Sequence, residues 1–71
     1  MPREPRWDTY RRFLNQATAK LETLLENLEK DAVDKRLLPD DRAYIRQILR
    51  RVEKAYGTLE AIETSIVRRY V

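Results

Sequence analysis

Lys35-Arg36-Leu37-Leu38-Pro39-Asp40-Asp41 is the stretch that decides the fold. Pro39 has no amide hydrogen and its ring clashes with a preceding helical turn, so no helix runs through it. It also biases Leu38 away from helical angles. In the first turn of a new helix the missing donor costs nothing, and Asp40 and Asp41 then sit where the helix dipole favours negative charge. Lys35 and Arg36 suit the end of a preceding helix for the converse reason. The segment therefore reads as a turn between two helices, with the turn proper at 36–39.

Upstream, apolar residues keep a seven-residue beat. Trp7, Leu14, Leu21 and Leu28 form one row, and Tyr10, Ala17 and Leu24 form a second. That spacing is the a and d pattern of a packed helix, and it fails at Asp31 and Lys35. With Asp8 as N-cap, the first helix is predicted over 8–35, roughly 40 Å at 1.5 Å per residue. Residues 1–7, broken by Pro2 and Pro5, read as an extended arm.

Downstream the beat resumes. Ile45, Val52, Leu59 and Ile66 form one row, and Ile48, Ala55 and Ile62 the other. The second helix is predicted over 40–69. Two long amphipathic helices and a short connection give an all-α, antiparallel two-helix hairpin in a single domain of 71 residues.

Such a hairpin is marginal alone. Chains of this size bury little surface and often gain stability by association. The stripe on the second helix is broader than two rows, since Leu49, Tyr56 and Tyr70 lie one position beyond it and Tyr44 flanks the other side. Leu25 and Phe13 play the same parts on the first helix. A stripe of that width implies more than one neighbouring helix. The expected state is a four-helix bundle, as a homodimer or with another helical protein, with Leu25, Leu49, Tyr56, Gly57 and Tyr70 as the candidate interface. The competing expectation is a monomer whose arm folds Trp7 back over the flank. Gly57 is placed mid-helix on the outside, either as a tolerated defect or where a partner backbone approaches.

The chain carries 15 Lys and Arg against 12 Asp and Glu, a net charge of +3, with 11 of the cations arginine. Arg42, Arg46, Arg50 and Lys54, with Arg51 beside them, make a basic strip on helix 2. Arg11 and Arg12 with Arg68 and Arg69 belong to a basic pole where the helix termini meet. These residues are the candidate nucleic-acid contacts of a second, nucleic-acid-binding reading. The plainer reading is a solvated face with loose pairing to Glu22, Glu26 and Glu29.

Catalytic chemistry finds little here. The sequence has no Cys, no His and one Gly. Disulfides, finger-type zinc sites, thiol nucleophiles, Ser-His pairs and glycine-rich phosphate loops are all excluded. No enzyme activity, cofactor, metal or small-molecule substrate is expected. No apolar run approaches a membrane span, and no apolar segment of signal type follows the N-terminal residues. The expected compartment is the cytoplasm. The function expected from these features is that of a non-catalytic interaction or adaptor module.

Overall fold

The computed structural model describes residues 3–70, and for Tyr70 the backbone alone. It is an all-α helical hairpin. Helix α1 spans Trp7–Ala32 and α2 spans Pro39–Tyr70. The molecule measures 60 × 18 × 15 Å, with a radius of gyration of 16.7 Å against about 11 Å for a compact chain of this length.

The helix ends differ from the expected ones in instructive ways. Helix α1 starts at Trp7, and its N-cap is Arg6 without a side-chain cap, not Asp8. The Trp7 amide donates to the Pro5 carbonyl at 2.9 Å and the Tyr10 amide to the Arg6 carbonyl at 3.0 Å. Asp8 lies inside the first turn, where its charge meets the helix dipole. At the other end α1 stops at Ala32, short of Lys35. The cause is Asp34. Its carboxylate accepts the Arg36 backbone amide at 3.0 Å and the Arg36 guanidinium at 3.0 and 2.8 Å. A side chain that binds the backbone two residues on competes with the helix for those groups and bends the chain. Pro39 is then the first residue of α2, and the Arg42 amide reaches the Leu38 carbonyl at 3.0 Å.

The seam between the helices is rotated from the expected one. On α1 the buried or half-buried residues include Trp7, Arg11, Leu14, Thr18, Leu21, Leu25, Leu28 and Ala32. On α2 they include Ile45, Leu49, Val52, Tyr56, Leu59, Glu63 and Ile66. Both series step by four and three, the heptad spacing. The predicted central rows, beginning at Trp7 and Ile45, are kept. Their main partners are the rows holding Leu25 and Leu49; of the Tyr10–Ala17–Leu24 and Ile48–Ala55–Ile62 rows, Ala17 and Ile48 are half-buried and the other four residues are exposed.

The packing is thin. Among the described residues Ala32, 5% exposed, is the one buried hydrophobic residue, and no side chain is fully enclosed. Ala32 ends α1 beside the turn, where Arg46 donates to its carbonyl at 3.3 Å. That bond satisfies one of the orphan acceptors at a helix C-terminus.

Candidate functional site

The residues singled out in the sequence as a partner interface separate into three groups. Leu25, Leu49 and Tyr56 are half-buried on the hairpin's own seam. Tyr56 also crosses it, its hydroxyl donating to Glu22 Oε1 at 2.6 Å. Gly57 is exposed, and a methyl group there would meet nothing within 4 Å. The side chain of Tyr70 lies outside the described residues. The seam row thus has an occupant within the chain, and the apolar surface left over is elsewhere.

That surface has a definite place. The helices run antiparallel, so the Tyr10–Ala17–Leu24 row and the Ile48–Ala55–Ile62 row fall on one broad side of the hairpin. Phe13 and Tyr44 flank the same side. Tyr10 is 42% exposed, Phe13 59%, Leu24 41%, Tyr44 64% and Ile62 43%. These five are most of the large apolar side chains exposed among the described residues; the others, Val33 and Leu38, belong to the turn. Trp7 stands edge-on to Tyr10, ring centroids 6.0 Å apart at 84°, and so fixes the Tyr10 ring at one end of the face.

Acidic side chains avoid the middle of this face. Glu22, Glu29, Glu53 and Glu60 occupy helix positions pointing to the opposite side. Of these, Glu22 and Glu60 act on Tyr56, together with Glu63 of the seam. The hydrogen bond to Glu22 comes first, then burial, then the charges of Glu22, Glu60 and Glu63. Together they push the phenol up to about 12, because an anion beside carboxylates is disfavoured.

The basic strip is not a continuous row of free cations. Arg46 is engaged with the Ala32 carbonyl. Arg46 and Arg50 line an open cleft of about 460 Å³ together with Glu29, Glu53, Ala32, Val33 and Leu49. Arg42 is half-buried, while Arg51 and Lys54 are exposed. At the pole Arg11 is half-buried, and Arg12, Arg68 and Arg69 are exposed. The Nε atoms of Arg11 and Arg42 are covered without a hydrogen-bond partner among the described residues. Glu29 and Glu53 share that cleft with Arg46 and Arg50, so the middle of the strip is mixed in charge, while among the described residues none of its cations forms an ion pair.

Among the described residues no three acidic side chains converge as metal ligands, and no helix is long and apolar enough to cross a membrane. Comparison with protein-family models, with curated proteins and with solved structures finds no match.

Proposed function

We propose that this chain is a non-catalytic protein–protein interaction module that works through one face of its helical hairpin. The observation that carries the reading is the combination of a nearly coreless pair of helices with a coherent exposed face of Tyr10, Phe13, Leu24, Tyr44 and Ile62. An apolar surface gathered in one place is the usual mark of a partner site, whereas scattered exposed residues are not. Aromatic side chains on such a face are the types that carry binding energy. The mixed character of the arginine strip favours a protein partner over a nucleic acid, since carboxylates beside arginines weaken the field that attracts phosphates.

The test is photo-crosslinking in the cells that make the protein. A photoreactive phenylalanine analogue is placed at Phe13, at Tyr44 or, on the opposite side, at Thr64. The module reading expects protein adducts of defined mass from positions 13 and 44 and none from 64. No protein adduct from 13 and 44, or equal yields from all three positions, would overturn it.

A further inference from the structure

We infer that the partner of this face is a second copy of the same chain, docked head to tail. The inference rests on the interaction-module reading and names its occupant. Three features converge on it.

The first is area. The chain exposes 6134 Å², whereas a compact monomer of 8.6 kDa exposes about 4,700 Å². The excess, roughly 1,400 Å², exceeds the roughly 800 Å² that each partner contributes to a standard interface. One partner of similar size, seated along the 60 Å length, is enough to cover the face.

The second is width. On each helix the apolar arc spans three adjacent heptad rows. The central row and the row of Leu25 and Leu49 meet within the hairpin. The remaining row, with Tyr10, Leu24, Ala55 and Ile62, points about a quarter turn away. Two neighbours at such an angle are what each helix has in a four-helix bundle. A second hairpin laid on this face supplies the missing neighbour to both helices at once.

The third is charge, and it sets the direction. At the turn end the face carries Asp31 and Asp41. At the opposite end it carries Arg6 and Arg69. All four are exposed. A copy reversed end for end brings the aspartates of each chain toward the arginines of the other. A copy in the same direction would instead stack two basic poles. Each pole holds Arg3, Arg6, Arg11, Arg12, Arg68 and Arg69 against Glu4, Asp8 and Glu63, six cations to three anions, so the whole net charge of +3 sits at that end. Like charges there oppose the same-direction arrangement.

Sedimentation equilibrium on the intact chain over a wide concentration range decides the matter. The wild type is expected at twice 8.6 kDa, dissociating on dilution. Ala55→Arg places a good helix former at an exposed position, so the lone hairpin keeps its helicity. It is expected to weaken association at least about tenfold by burying a charge in the interface. Asp31→Lys and Arg6→Glu each put a favourable charge at a helix end, so both fold. Each alone is expected to associate more weakly than wild type at low salt. Their equimolar mixture is expected to regain roughly two- to tenfold, because opposite charges then meet at both ends.

A wild-type mass of 8.6 kDa throughout would overturn the proposal. So would a dimer indifferent to Ala55→Arg, or a mixture no tighter than its components. A monomer that still gives adducts with another protein from position 13 would remove the second copy and leave the module reading standing.

Discussion

The Tyr56 hydroxyl donates a 2.6 Å hydrogen bond to the Glu22 carboxylate across the hairpin. Among the described residues it is the one side-chain-to-side-chain hydrogen bond between the two helices. It joins the Leu49–Tyr56 row to α1, while Ala55 and Ile62 of the neighbouring row are exposed. The contact lies on the side of the hairpin opposite the outer face.

This bond ties part of the hairpin's alkaline stability to the Tyr56 phenol. Glu22 on α1 and Glu60 and Glu63 on α2 raise the Tyr56 pKa to about 12, above its usual 10. A raised folded-state value means the contribution is complete below pH 10 and disappears as pH climbs toward 12. Titration followed by tyrosinate absorbance is expected to show the Tyr56 phenol ionising late, near pH 12. Tyr56→Phe is expected to abolish the late step. Its persistence would assign the shift to another tyrosine.

At the acid end the sensitive group is Asp34. Hydrogen bonds from the Arg36 guanidinium, then from the Arg36 backbone amide, hold its carboxyl below the usual 3.8. A lowered folded-state value contributes stability above the ordinary pKa that is lost as pH falls below it. Asp34→Asn is expected to be less stable than wild type at neutral pH and to converge with it under acid conditions. Thermal melts at a series of pH values check this. A constant difference across the series would mean that the charge plays no part.

Gly57 occupies an exposed mid-helix position with open space where a side chain would go. Gly57→Ala removes backbone freedom from the unfolded chain and creates no clash. It is expected to stabilise the hairpin by about 0.5–1 kcal/mol, a rise of a few degrees in Tm for a domain this small. An unchanged or lowered melting temperature would contradict the open surroundings.

Arg46 closes the end of α1 by donating to the Ala32 carbonyl. Arg46→Ala is expected to cost about 0.5–1.5 kcal/mol, and Arg46→Lys to recover part of that loss. Amide exchange should quicken in the last turn of α1 while the middle of α2 keeps its protection. Uniform quickening would show that the residue supports the whole hairpin instead.

The turn, the two helices and their antiparallel packing were all legible from Pro39 and the heptad rows. Which flank each helix turns inward was not. Both flanks offer apolar residues, Leu24 on one side and Leu25 on the other, so pattern alone ranks them equally. The chosen row was further disguised by Arg11, Thr18 and Glu63, polar residues that half-bury on the seam. The inward flank is the one that brings Tyr56 to Glu22 and Arg46 to the Ala32 carbonyl, tertiary contacts that no local spacing announces. The early end of α1 was hidden for a similar reason. Lys35 and Arg36 suit a helix terminus, but the Asp34 carboxylate captures Arg36 first. The outer face was visible in the sequence residue by residue, yet Tyr10, Leu24 and Ile62 looked like interior positions.

Ala32 is a very small keystone. Trimming a large interior side chain usually harms a protein because it leaves a void that neighbours cannot fill. A lone hairpin whose one buried side chain among the described residues is a methyl, itself 5% exposed, has almost no volume to hollow out. Truncations along its length should therefore be mild and graded in the separated chain. A sharp, position-specific penalty would be the signature of a jigsaw completed by another molecule.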